Sequence, residues 1–229
     1  MSSALSTSLV SVGLALALSG AASALVIDSF TNGTGELVTF SDTGIGGTDS
    51  FQEPGGTDPL GGKRVGWVEK NNVTGEVEQV KISVNAGETS MSSDANTNAS
   101  WVLGWGIGSD LHADLTDSGA SNRFVINIKD NSSLGGTLMI GIVTETGNLS
   151  KTVNLTASLT PYTLTIPFAS FTGTGNWSDT NRITMRVDTV TNGFDTVWNL
   201  VGTDGVPEPT SLALLGLAAM ALLRRRVKN

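Results

Sequence analysis

Hydrophobic residues follow two different patterns along this chain of 229 residues. At each end they run together. Between the ends they alternate with polar residues and are broken by Gly, Asn, Asp and Pro clusters. Phe124, Ile126 and Ile128 share one face of an alternating run, as do Leu138, Ile140 and Ile142. Ile183, Met185 and Val187 alternate with Thr184 and Arg186. Such period-two stretches read as strands with one buried and one solvated face. The pattern predicts strands over 25–31, 37–41, 64–69, 76–85, 99–107, 123–129, 137–145, 151–158, 162–167, 182–188 and 194–201. No helix of useful length is predicted between Leu25 and Gly205. About eleven short strands with turn signals between them predict an all-β body, an antiparallel two-sheet sandwich or jelly roll. The span 43–62 holds Gly44, Gly46, Gly47, Gly55, Gly56, Gly61 and Gly62 with Pro54 and Pro59, and predicts a long surface loop.

The amino-terminal apolar run is of a different kind. Residues 1–24 carry no charged side chain, and the stretch 9–18 has signal-peptide length, too short to span a bilayer. Ala22-Ser23-Ala24 follows as an A-x-A cleavage site. The reading is a signal helix over 1–24, removed by signal peptidase at Ala22 and Ala24, with the mature chain starting at Leu25. It departs from the usual pattern in one respect: no Lys or Arg precedes the apolar core.

The carboxy-terminal region, 203–229, has three parts in order. Val206-Pro207-Glu208-Pro209 is a short motif stiffened by proline, 211–223 is unbroken apolar sequence, and Arg224-Arg225-Arg226 is a basic stop. Pro209 suits the first turn of a helix. As a helix, 211–223 would be roughly 20 Å long, short against a hydrocarbon core of about 30 Å. Counted from Pro209, with the arginine stems snorkelling, it just crosses. The arginines then stay cytoplasmic and the body lies outside. Both ends give one topology around an extracellular body at 25–202.

This tail resembles the PEP-CTERM sorting signal in Val206, Pro207, Glu208, Pro209, the apolar 212–223 and Arg224–Arg226. The resemblance implies recognition by an exosortase, a membrane-embedded cysteine protease of Gram-negative bacteria that make exopolysaccharide. It implies transient anchoring in the inner membrane, then release to the cell surface or beyond. The body resembles jelly-roll, carbohydrate-binding-module-like domains in Asp28-Ser29-Phe30, Gly61-Gly62-Lys63-Arg64, Asp114-Leu115-Thr116 and the run from Tyr162 to Phe168 with Phe171. It departs from them where an Asp-Asn-Ile segment is usual and Asp195-Thr196-Val197 stands here.

Charge and composition narrow the chemistry. The chain has net charge -8; residues 25–205 hold 9 basic and 20 acidic residues. So acidic a surface repels phosphate backbones, which excludes nucleic acid as a partner. There is no cysteine, hence no disulfide framework and no thiolate metal site. His112 is the only histidine, so no His-rich zinc centre exists. No GxSxG elbow accompanies it, and it reads as a solvated loop residue. A glycosidase needs two facing carboxylates; Glu76 and Glu78 share a strand face but read as its solvent side. The expected function is therefore a non-catalytic surface or matrix protein associated with exopolysaccharide. The alternative is a carbohydrate-active enzyme or dedicated glycan-binding module.

No cofactor is expected except Ca²⁺, for which flexible loops rich in carboxylates are suited. Asp110, Asp114 and Asp117 are its candidate ligands, with Asp42, Asp49, Glu53 and Asp58 in the glycine-rich span as a second set. For sugar contact the candidates are Trp67, Trp101, Trp105, Trp177 and Trp198. Trp101 and Trp105 read as core. Trp177, in a Gly-Asn-Trp-Ser-Asp turn, is the expected glycan contact unless it folds back over the sheet edge.

Overall fold

The computed structural model describes residues 24–32, 37–41, 48–54, 58–70, 79–131, 136–189 and 193–204. The signal helix with Ala22, Val206–Pro209, the membrane segment 211–223 and Arg224–Arg226 lie outside the described residues; Ala24 is described and exposed. No helix among the described residues is long and apolar enough to cross a membrane.

The strands are β1 (Leu25–Asp28), β2 (Leu37–Ser41), β3 (Thr48–Pro54), β4 (Lys63–Lys70), β5 (Gln79–Asn85), β6 (Glu88–Ser93) and β7 (Ala99–Trp105). Then come β8 (Arg123–Asn131), β9 (Gly136–Thr144), β10 (Gly147–Leu155), β11 (Tyr162–Pro167), β12 (Thr172–Gly173), β13 (Thr180–Thr189) and β14 (Asp195–Asp204). They form two seven-stranded sheets. The first runs β11-β8-β14-β6-β5-β2, with β1 also paired to β14; the second runs β12-β10-β9-β13-β7-β4-β3. Every pairing is antiparallel. The expected two-sheet β-sandwich is the fold.

The core forms because the alternating residues of both sheets turn inward. Val80, Ile82, Val84, Phe124, Ile126, Ile128 and Trp198 come from the first sheet. Trp101, Leu103, Trp105, Leu138, Ile140, Ile142, Ile183, Met185 and Val187 come from the second. The buried tryptophans find partners for their N–H groups, Trp101 donating to the Lys81 carbonyl (2.8 Å) and Trp198 to the Thr196 hydroxyl (3.0 Å).

One ion pair is sealed in this interior. The Arg64 guanidinium donates to both carboxylate oxygens of Asp28 at 2.6 Å, and both side chains are fully buried. The Phe30 amide (2.8 Å) and the Trp105 indole (2.9 Å) also donate to Asp28, and the guanidinium lies 5.1 Å from the Phe30 ring centre. Burial pushes the Asp28 carboxyl up, while Arg64, Phe30 and Trp105 pull it back. The segments Asp28-Ser29-Phe30 and Gly61–Arg64, far apart in sequence, thus meet in one buried network.

Three elements correct the sequence reading. The span 43–62 is not one loop, because β3 pairs with β4 along its whole length. Its Thr48–Pro54 run contains no glycine and lies at a sheet edge, where a terminal proline is tolerated. β6 was hidden because Met91 is its one large apolar residue; Thr89 and Ser93 face inward with it. Its tight turn from β5 uses Ala86 (φ 50°) and Gly87 (φ 86°). β14 runs on to Asp204, past the expected boundary at 202. Its register shifts around Trp198, so Trp198 and Val201, three apart, are both buried.

Candidate functional site

The outer face of the second sheet carries an unusual row of side chains. Cross-strand register aligns Trp67 on β4, Val102 on β7, Arg186 on β13, Met139 on β9 and Thr152 on β10. Because parity alternates along a strand, all of these point away from the core. From β4 to β10 the row crosses five strands, or about 19 Å at the usual spacing. Trp67 is half-buried, Val102 is buried and Met139 is 40% exposed. The neighbouring row has glycines at Gly104 and Gly141, and the Ile107 and Thr184 side chains lie against them.

Arg186 is held in place from below and from the side. Its Nε donates to the Asp188 carboxylate (2.7 Å) and an Nη donates to the Ser100 hydroxyl (2.9 Å). The Glu69 carboxylate stands 3.6 Å away. Ser100 also donates to Asp188. The Arg186 side chain is about a third exposed, so a fixed set of donors and acceptors lies on the same outer face as Trp67, two strands away. That arrangement suits a ligand with an apolar face and many hydroxyls.

A second concavity, of about 250 Å³, lies on the outer side of the first sheet. Asn127, Lys129, Tyr162, Thr163 and Asn199 are among its lining residues. The Tyr162 hydroxyl donates to the Thr156 carbonyl (3.2 Å), and Thr163 donates to Asn127 (3.0 Å). On the same sheet, burial and then the Asp130 carboxylate push the Asp195 carboxyl up.

Trp177 folds back, as one of the two sequence readings held. It stacks on Phe168 (4.1 Å between ring centres) and meets Phe124 and Phe171 edge-on, half-buried against the core. Trp101, Trp105 and Trp198 are fully buried. Trp67 was hard to single out because Arg64, in the same strand, is buried. A charged residue normally marks the solvent side, and Arg64 inverts that parity for Val65, Gly66, Trp67 and Val68.

The acidic candidates are dispersed. The Asp114 carboxylate is used within its own turn, accepting from the Thr116 amide (2.8 Å), the Thr116 hydroxyl (2.5 Å) and the Ser118 amide (2.9 Å). These bonds, the Thr116 hydroxyl first, hold its carboxyl below the usual range. Asp110 is exposed, and Asp117 sits at φ 47°. Among the described residues these three do not bring their carboxylates together; the acids and histidine that do converge are His112, Glu145 and Asp179. Asp58 binds the Ser29 amide (2.9 Å), the Ser29 hydroxyl (2.6 Å) and the Thr31 hydroxyl (2.8 Å). Asp42, Glu76 and Glu78 lie outside the described residues.

The tail decides what kind of chain this is. The model of the PEP-CTERM protein-sorting motif matches residues 205–227. The chain carries a PEP-CTERM signal. That signal marks an exported protein, sorted by an exosortase, that passes through a membrane-anchored stage on its way to the surface. No curated protein matches the sequence significantly. Among solved structures, the chain is similar to the family 11 carbohydrate-binding module from Clostridium thermocellum in complex with a β-1,3-1,4-mixed-linked tetrasaccharide. The identity is 14% and the TM-score 0.44, over 81% of this chain and 98% of that one. It is also similar to the family 11 module of the cellulosomal cellulase Lic26A-Cel5E of the same organism, at 14% identity and TM-score 0.41, over 81% and 97% of the two chains. A third similarity is to the CBM22-1–GH10 modules of its xylanase 10B, at 12% identity and TM-score 0.32, over 81% of this chain and 29% of that one.

Proposed function

We propose that the body is a non-catalytic module that holds an extended polysaccharide across the outer face of the second sheet. The row Trp67–Val102–Arg186–Met139 carries this reading. It offers a ring for the C–H face of a sugar and an anchored guanidinium, flanked by carboxylates, for its hydroxyls. The row spans five strands, which suits a polymer lying across it better than a small molecule enclosed in a pocket. Weak affinity and repeated display at a surface fit such a site.

In the same proposal, signal peptidase removes 1–24 and the segment 211–223 crosses the inner membrane with Arg224–Arg226 on the cytoplasmic side. Exosortase then acts at Val206–Pro209. The processed protein is displayed on the surface, or in the exopolysaccharide matrix, of a Gram-negative bacterium. Mass spectrometry of the native protein should find its amino terminus at Leu25 and a carboxy terminus near Val206.

Affinity electrophoresis of the purified protein in gels containing soluble polysaccharides tests the binding face. At least one glycan should retard the wild type, and Trp67→Ala should weaken that retardation by roughly tenfold. Tyr162→Ala, in the other concavity, should leave it unchanged. If no glycan retards the wild type, the binding reading fails and a purely structural coat role takes its place. The second reading is a carbohydrate-active enzyme, which needs two facing carboxylates; Asp130 and Asp195, interacting across the first sheet, are the pair to test. Release of reducing ends that Asp195→Asn abolishes would establish that reading instead.

A further inference from the structure

We propose that His112, Glu145 and Asp179 form a binding site for a divalent transition-metal ion of the Zn²⁺ class. Their ligand atoms all lie within 4.8 Å of one another, with His112 Nδ1 3.8 Å from Asp179 Oδ1. In a tetrahedral zinc site with bonds of about 2.0–2.2 Å, neighbouring ligands stand roughly 3.3–3.5 Å apart. Small side-chain rotations close the observed set to that size.

The three residues come from separate segments that the backbone fastens together. The amides flanking His112 are both engaged: Leu111 donates to the Asn181 carbonyl (2.9 Å) and Ala113 to the Thr180 carbonyl (3.0 Å). His112 itself sits at φ 47°, a left-handed conformation held by these bonds. The Glu145 amide approaches the Asp179 carbonyl (3.4 Å), and the Asp179 amide closes its own turn on Asn176 (3.2 Å). The backbone therefore holds the three ligands in fixed relative positions.

Asn181 ties one of these ligands to the fold. It is 91% buried, and its Nδ2 donates to Glu145 Oε1 (3.0 Å). Its Oδ1 is buried and has no hydrogen-bond partner. A buried amide oxygen without a partner is costly. The amide bears that cost while its Nδ2 holds the Glu145 carboxylate in place. The structure thus supplies one imidazole nitrogen and two carboxylates, one of them held by the Asn181 amide. Two carboxylates and a neutral imidazole balance a 2+ ion, and the imidazole favours zinc, copper or nickel over calcium. Because His112 and Glu145 are exposed, the ion enters from solvent without any opening of the fold.

The test is calorimetric titration of the full chain in mild detergent, stripped with a chelator and then titrated with ZnCl₂. One ion per chain is expected, together with a rise in the thermal unfolding midpoint. His112→Ala should weaken binding by roughly a hundredfold, and Asn181→Ala by roughly tenfold. Asp110→Ala should bind as the wild type does. Circular dichroism confirms that each variant is folded; His112 is exposed, so its loss leaves the core intact. No saturable Zn²⁺ binding would overturn the proposal, as would unchanged affinity in His112→Ala. Displacement of Zn²⁺ by an equal concentration of Ca²⁺ would overturn the choice of metal class.

Discussion

At the scale of single residues, the buried Asp28–Arg64 pair has the largest energetic consequence. Desolvating two charges is expensive, and only the full set of donors around Asp28 offsets it. Arg64→Met keeps much of the volume but leaves the Asp28 carboxyl buried without its cation. Urea unfolding should show a loss of about 3–5 kcal/mol. Trp105→Phe removes one donor and part of a buried ring but leaves the cation in place, and should cost less.

Asp58 behaves differently, because its carboxylate is only partly buried. Burial raises its pKa, but the hydrogen bonds from Ser29 and Thr31 prevail and hold it below the ordinary 3.8. Its stabilisation is therefore complete above about pH 4 and disappears as pH falls through the folded value. Asp58→Asn should flatten this part of the acid dependence, seen by comparing urea midpoints at pH 3 and pH 6 with those of the wild type. The same residues show how far sequence reading reaches. Phe124, Ile128 and Val187 were legible as core because neighbours of opposite polarity framed them. Arg64 was not, because only its partner from a distant segment makes burial tolerable. Trp67 was among the candidates but could not be singled out, since its face follows from that of Arg64.

At the scale of elements, strands announced by large alternating apolar residues matched closely, and β2 and β11 kept their expected bounds. Strands held mainly by neighbours did not. β3 and β6 carry few large apolar side chains, and their pairing with β4 and β5 supplies what local preference lacks. The pieces of the outer-face row were visible in sequence, but the row itself depends on cross-strand register. The His112–Glu145–Asp179 cluster was likewise out of reach, because it joins three separate turns. The connection after β7 gives a direct test of local backbone demands. Gly106 has φ 76°, and a Cβ there would lie 2.2 Å from the Asn181 carbonyl oxygen. Gly108 has φ 84° but nothing within 4 Å. Gly108→Ala should cost about 1 kcal/mol, the price of the left-handed conformation, and Gly106→Ala at least twice that. Thermal unfolding of the two variants separates conformational strain from steric overlap.

At the scale of the whole molecule, the first and last strands are partners. β1 lies against β14 with Leu25 opposite Thr203, so the sandwich is closed by residues from opposite ends of the body. The Asp28 carboxylate sits on that first strand and reaches Arg64 and Trp105 in the other sheet. In the proposed export route, the chain would emerge amino terminus first, and β14 would come out last, just ahead of the sorting signal. Until then Leu25–Asp28 has no edge to join. The finished shape and arrival of the sorting signal at the membrane are thereby timed together, so a protease waiting there would meet a substrate whose outer portion has only just locked shut.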